Sequence, residues 1–268
     1  MSDRVQKLRN RLFARVPRDR DAYHATIATH LRPTAEVLDV GCGKGHLNPF
    51  PWSDYPGARI VGIDPDPEAS QNSCIAEFHL LEDGKPWGMA DRSADLVVCR
   101  YVLEHVEDPA LFLSEVRRVL RPGGRFVFLT PSRYYPVMLV SHWLPHSLHQ
   151  KILARTKKSA ANDVFATFYR MNSKRDLRRL ASENGFRIDT LVQRDFQPTD
   201  YFDFNIVAFL LNFAVYGLFK LIRLDRQLGA SLLGVWIAPK TTSPVADTRG
   251  SPIESSTDIG GRAQRRHG

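Results

Sequence analysis

Three cysteines, Cys42, Cys74 and Cys99, are all that this chain has. They are scattered, odd in number and show no CxxC spacing, which argues against a disulfide framework and against a zinc site. A reducing compartment, the cytoplasm, fits best. No apolar run reaches the roughly 20 residues that a membrane-spanning helix needs. The amino-terminal stretch MSDRVQKLRNRLFARV is too polar for a secretory signal. No internal repeat marks a solenoid. Acidic residues are in deficit, 29 against 37 Lys and Arg, for a net charge of +8. A basic balance favours anionic partners (nucleic acid, lipid headgroups, phosphorylated molecules) without naming one, and many basic proteins have no such partner. Material for a core is not lacking, since 43% hydrophobic and 25% charged residues are ordinary globular values.

Apolar and polar stretches alternate along the chain. Residues 5–16 place Val5, Leu8, Leu12 and Val16 at helical spacing with Lys7, Arg9, Arg11 and Arg15 between them. This is a short basic amphipathic helix that either packs on its own domain or lies on an anionic membrane surface. A second helix is expected over 21–31, stopped before Pro33. Runs at 36–40, 59–63 and 94–99 read as strands, 109–120 as a helix, 121–124 (Arg-Pro-Gly-Gly) as a turn and 125–129 as a strand. Strands separated by helical stretches imply an α/β fold with a parallel sheet covered on both faces. Residues 132–170, rich in aromatics, histidines and basic groups, read as an insertion. Ser173 is the expected N-cap of a helix to 184, with Gly185 as its stop. Residues 186–193 and 231–238 read as strands, with a second insertion near 196–229. From Thr241 on, the composition leaves little to bury and predicts a disordered tail. The expected organisation is amino-terminal helices over 1–32, a main domain over 33–240 and a tail over 241–268.

The chemistry begins at Val37-Leu-Asp-Val-Gly-Cys-Gly-Lys-Gly45, a strand feeding a glycine turn that is expected to open a helix. Glycines there let the backbone approach a ligand and adopt positive φ, at the end of a strand where open α/β sheets bind ligands. A dinucleotide site needs GxGxxG, and His46 stands where its third glycine belongs; the GxxxxGK[ST] of a P-loop is also absent. Asp39 repels a phosphate but suits an ammonium group. The methionine half of S-adenosylmethionine carries an ammonium and a sulfonium charge. Asp64 ends the second strand, where a carboxylate can accept two ribose hydroxyl bonds strengthened by its charge. The alternative for Asp64 is a turn-forming residue before Pro65.

The segments VLDVGCGKG (37–45), GIDP (62–65), ADLVVCRYVLEHVEDP (94–109) and LRPGGRFVFLTP (120–131) resemble, in order and spacing, successive motifs of class I S-adenosylmethionine-dependent methyltransferases, close to the methyltransferase type 11 group. The resemblance implies a Rossmann-like, doubly wound, seven-stranded sheet, mostly parallel with the last two strands antiparallel, plus helical insertions. Residues 186–193 and 231–238 would be that last pair. It also implies S-adenosyl-L-methionine as cofactor. By the same resemblance Asp39, Gly41 and Gly43 surround the amino-acid end of the cofactor, and Asp64 holds the ribose hydroxyls. Glu82 or Asp83 meets the adenine amino group, and Arg100 lies beside cofactor and substrate.

A methyl group on a sulfonium is displaced in line, so alignment supplies much of the catalysis. A base is needed only where the acceptor loses a proton, as a hydroxyl does. His105, just after the fourth strand, is the candidate base, histidine being the side chain that titrates near neutrality. The other reading is a histidine that orients its loop. Some quinone O-methyltransferases resemble this stretch but have Glu where Tyr101 stands, followed by Glu and His as in Glu104 and His105. Tyr101 breaks that set, and no metal is expected. In the insertion, Tyr134, Tyr135, His142, Trp143, His146 and His149 shape an acceptor pocket or simply pack, and their spacing gives no helical HxxxH pair.

Residues 206–219 form a long apolar stretch followed by Lys220, Arg223 and Arg226. It is read either as a core-covering helix or as an interfacial one making peripheral membrane contact. The whole points to methyl transfer, O-directed, onto a small-molecule, lipid or lipid-linked glycan acceptor. A nicotinamide-dependent oxidoreductase is disfavoured by His46. A non-catalytic methyltransferase-like protein that binds membranes or partners is opposed by the intact Asp39, Gly41, Gly43 and Asp64. An RNA methyltransferase finds no added RNA-binding module and no Asn-Pro-Pro-Tyr motif after the fourth strand, so no nucleic-acid partner is expected.

Overall fold

The computed structural model describes residues 7–8, 11, 18–46, 49–82, 84–135, 166–194, 206–223 and 228–240. Outside the described residues lie most of the basic helix expected over 5–16, most of the 132–170 insertion with His142, Trp143, His146 and His149, Asp83, and the tail from 241. Helix α1 (Asp19–His30) leads into β1 (Glu36–Val40), β2 (Arg59–Asp64), β3 (Glu77–Leu80) and β4 (Ala94–Arg100). There follow α2 (Pro109–Val119), β5 (Leu120–Pro131), α3 (Lys174–Glu183), β6 (Arg187–Arg194), α4 (Ile206–Leu221) and β7 (Ser231–Ile237). One seven-stranded sheet results, in the order β3-β2-β1-β4-β5-β7-β6. Strands β1 to β5 are parallel, and β7 runs antiparallel to both β5 and β6. The order reverses beside β1 and β4, which opens a crevice at their carboxyl ends.

The period-two alternation of strands assigns the core to two layers. Leu38, Val40, Val97, Cys99, Phe126, Phe128 and Trp236 face α2 and α3, meeting Leu113, Val116, Leu177 and Leu180. Val37, Leu96, Val98, Val127, Leu129 and Val235 face the other way, toward Tyr23 and Ile27 of α1 and the rings of Phe50 and Trp52. Each such side chain contributes about 1.5–3 kcal/mol on burial. The helices start where capping chemistry allows. Asp108 accepts from the N–H groups of Ala110 (2.9 Å) and Leu111 (3.1 Å) with Pro109 in the first turn. Ser173 accepts from the Asp176 N–H (3.1 Å), as expected, and Gly185 stops α3 at a φ of 71°.

Two expectations are corrected, and one strand is added. No α-helix follows the glycine turn among the described residues, which show only a 3-10 turn at Trp52–Asp54 before β2. Pro49, Pro51 and Pro56 withhold the N–H groups an α-helix needs. Residues 121–124 are not a separate turn but lie within β5, as a bulge against β4 between the pairs Ala94–Leu120 and Leu96–Arg125. Finally, β3 had no apolar signature, because Glu77-Phe-His-Leu80 is an edge strand with both ends exposed.

Candidate functional site

Strands β1, β2 and β4 end side by side, and most of the candidate residues sit at those ends. Gly41 adopts a φ of 72°, and its N–H donates to the Ile63 carbonyl at 2.7 Å, pinning the turn onto β2. A Cβ at Gly41 would strike the Val102 side chain, so the turn needs glycine for both its conformation and its packing. The Gly43 N–H donates to Asp64 Oδ2 at 2.9 Å, and Asp64 Oδ1 accepts from the Asp66 N–H at 2.9 Å. Asp64 thus orders both turns through its two carboxylate oxygens. A Cβ on Gly43 would meet nothing within 4 Å among the described residues.

Asp39 is half-buried on β1, in register with Gly62 of β2 and Val98 of β4. Desolvation pushes its pKa up to about 7; Arg100 pulls it down and Asp64 adds to the rise. Two carboxylates meeting at a desolvated turn favour a cationic ligand. Burial, with Asp39 and Asp64, also pushes the Cys42 thiol up to about 12, so no thiolate nucleophile forms there. Tyr23 of α1 is buried near the same charges, and its phenol is raised by burial and then by Asp39.

Sequence reasoning missed Asn72. Its Nδ2 donates to the carbonyls of Cys42 (3.2 Å) and Gly43 (3.0 Å), while its Oδ1 accepts from the Cys74 N–H (2.9 Å). It is buried and braces the outer side of the glycine turn. An Asx-type turn at Asn-Ser-Cys is legible in the sequence; the contact across space with the glycine turn is not.

Beyond β4 the backbone bends sharply. Tyr101 holds a φ of 58°, uncommon for a non-glycine residue, and its N–H donates to the Leu129 carbonyl at 2.8 Å. The 3-10 turn Leu103–His105 follows. The Glu104 side chain is buried, and its pKa is raised by burial against the pull of His105 and Thr130. Thr130 donates to Glu104 Oε2 at 3.3 Å, and Asn172 Nδ2 donates to Thr130 Oγ1 at 2.6 Å. The Glu104 carbonyl accepts from the N–H groups of Phe168 (2.7 Å) and Tyr169 (3.2 Å), and His105 Nδ1 lies 2.8 Å from the Ala166 carbonyl. A carbonyl only accepts, so Nδ1 carries the proton and the neutral ring has its lone pair on Nε2.

The structure therefore gathers Asp39, Gly41, Gly43, Asp64 and Arg100 into one crevice. His105 lies in the 3-10 turn that follows β4, with its ring against the Ala166 carbonyl. Asp83 lies outside the described residues, and Glu82 is paired with Lys85 on the surface. No group of three or more His, Cys, Asp or Glu able to hold a metal occurs among the described residues.

Residues 2–191 match a family model described as a methyltransferase domain. The ubiquinone biosynthesis O-methyltransferase of Idiomarina loihiensis is 31% identical over 156 residues, covering 48% of this chain and 62% of that protein. A thiol S-methyltransferase of Homo sapiens is 39% identical over 104 residues, covering 35% and 41%. The chain spans about half the length of the curated relatives it matches. Among solved structures, a SAM-dependent methyltransferase of Methanosarcina mazei superposes with a TM-score of 0.52 at 17% identity, covering 81% of this chain and 98% of that one. The geranyl diphosphate C-methyltransferase of Streptomyces coelicolor, solved with S-adenosyl-L-homocysteine, gives 0.52 at 16% identity and covers 81% and 80%. At such identities the likeness carries the fold, and the family model carries the membership. The chain belongs to the methyltransferase-domain family.

Proposed function

We propose that the protein is an S-adenosylmethionine-dependent methyltransferase that methylates an oxygen of a small-molecule, lipid or lipid-linked glycan acceptor. The observation that carries this reading is the meeting of Asp39 and Asp64 at a glycine turn whose backbone is held in the left-handed region. In this reading Asp39, Gly41 and Gly43 receive the ammonium end of the cofactor, and the Asp64 carboxylate takes the ribose hydroxyls. Asp83, or its neighbour Glu82, takes the adenine amino group. Arg100 borders both cofactor and acceptor. When bound, S-adenosylmethionine supplies a methyl carbon activated by its sulfonium and leaves as S-adenosylhomocysteine.

The chain's own chemical part is the proton. An acceptor hydroxyl gives its proton to His105 Nε2, and Glu104 Oε1, 4.0 Å away, stabilises the charged imidazole that results. The names of relatives, a ubiquinone biosynthesis O-methyltransferase and a malonyl-[acyl-carrier protein] O-methyltransferase among them, support oxygen as the accepting atom. Calorimetric titration with S-adenosylmethionine and S-adenosylhomocysteine tests the cofactor site, with micromolar binding expected for the wild type and none for Asp64→Ala. His105→Ala keeps cofactor affinity and loses about 10²–10⁴-fold in turnover on quinol, lipid or glycan hydroxyls. A folded wild-type protein that binds neither nucleoside refutes the reading and favours a non-catalytic role.

A further inference from the structure

Helix α4 presents an apolar stripe to solvent. Ile206, Leu210, Leu218 and Leu221 are 42%, 48%, 54% and 80% exposed, and Ala214 and Gly217 between them are exposed as well. Their spacing of three and four residues places them along one side of a 16-residue helix, a strip about 24 Å long at 1.5 Å per residue. Ile222, just past the helix end, is 52% exposed and extends the strip. Leaving so much contiguous apolar surface in water is unfavourable and marks a contact surface. The helix is too short to cross a bilayer; among the described residues no helix is long and apolar enough to do so.

We infer that this stripe docks on the surface of a bilayer bearing anionic headgroups. Three observations select that occupant. The cations lie at the strip's carboxyl end, where Lys220 and Arg223 are exposed, and the chain as a whole carries +8. No acidic residue occurs between Ile206 and Arg223, so the charge of this helix is wholly basic and complements anionic headgroups. The segment that carries the helix starts and ends at one end of the sheet. It leaves the sheet after Arg194 of β6 and returns at Ser231 of β7, and β6 runs parallel to β5 through the antiparallel β7. Segment 195–230 therefore emerges at the carboxyl end of the parallel strands, the end that carries the glycine turn. Docking itself is independent of the methyl-transfer reading.

The test is flotation of the full-length protein with vesicles of phosphatidylcholine and phosphatidylglycerol in equal parts, against phosphatidylcholine alone. Wild type floats with the anionic vesicles and is released by salt. The double variant Leu218→Asp/Leu221→Asp partitions about tenfold more weakly or worse with an unchanged melting curve, and Lys220→Glu/Arg223→Glu loses the preference for anionic vesicles. Light scattering of the vesicle-free protein supplies the opposing arm. Absence of flotation, flotation equal in all variants, or a wild-type dimer that Leu218→Asp/Leu221→Asp dissociates without any vesicle binding overturns the inference. Loss of flotation with cofactor binding intact separates this surface from the site in the crevice.

Discussion

A carboxylate that must stay desolvated to do its work weakens the fold that holds it, and Asp39 is such a residue. Its folded-state pKa of about 7 lies well above the value of about 3.9 for an unfolded chain. Between those values the folded state holds the extra proton, so this group's contribution to stability is greatest below about pH 4 and declines as pH rises to about 7. Replacing it by the neutral isostere relieves that penalty. Asp39→Asn is expected to raise stability above pH 7 by roughly 1–3 kcal/mol, read from urea melts. The same change is expected to cost affinity. An ammonium-bearing ligand prefers the ionised carboxylate, so wild-type affinity for S-adenosylmethionine rises as pH increases toward about 7 and then levels, while the variant binds about tenfold or more weakly with a flat profile. Calorimetry across that range decides it, and a wild-type affinity independent of pH removes Asp39 from the ammonium subsite.

Among the elements, the seam between β5 and β7 leaves no room for a side chain at Gly234. Gly234 pairs with Phe128, and a Cβ on it would run into the Phe128 ring. That ring is wedged between Phe126 and Trp236, with centroids 5.1 Å away on both sides. Gly234→Ala is therefore expected to destabilise by about 1–3 kcal/mol through overpacking, seen as a lower urea midpoint at unchanged slope. A neutral result means that the three rings reorganise together. The same seam explains what could be read in advance. Strands β1, β2, β4 and β7 are buried on both sides and announce themselves as apolar runs, and Ser173 and Asp108 announce their helices by capping. Strand β3 is half polar because it is paired on one side only. The Arg-Pro-Gly-Gly bulge looks like a turn because the pairing with β4 that draws it into β5 is a contact distant in the chain. At the site, Asp39, Gly41, Gly43 and Asp64 were legible because local geometry and charge define them. Asn72, Thr130 and Asn172 were not, since each acts through a contact with a residue distant in the chain.

At the scale of the whole molecule, α1 is a strap across one face of the sheet, fastened at both ends. At the amino edge Arg32 pairs with Asp95, which also accepts from the Glu36 N–H (3.0 Å) and from Arg121 (2.6 Å). At the carboxyl edge Asp19 accepts from Arg194 Nε at 3.3 Å and bonds with the Ser231 hydroxyl, joining residues 175 and 212 positions apart. Between these fastenings the strap buries Ile27, and it buries Tyr23 beside the charge cluster of Asp39 and Arg100. Its carboxyl-edge fastening therefore sits at the site's end of the sheet. Releasing it should loosen the first turns of α1 and the wall that Tyr23 provides, leaving the strands intact. Asp19→Ala is expected to cost about 1–2 kcal/mol, the range for a partly buried, charge-assisted pair. It should also weaken cofactor binding a few-fold. Arg194→Ala should reproduce part of this, with a double mutant less destabilised than the sum, since both remove the same contact. Hydrogen exchange supplies the discriminating measurement. Amides of α1 should exchange faster in Asp19→Ala while those of β1, β4 and β5 keep their protection. If α1 keeps its protection as well, the packing of Tyr23 and Ile27 alone holds the strap, and the polar fastening serves only to set where the helix begins.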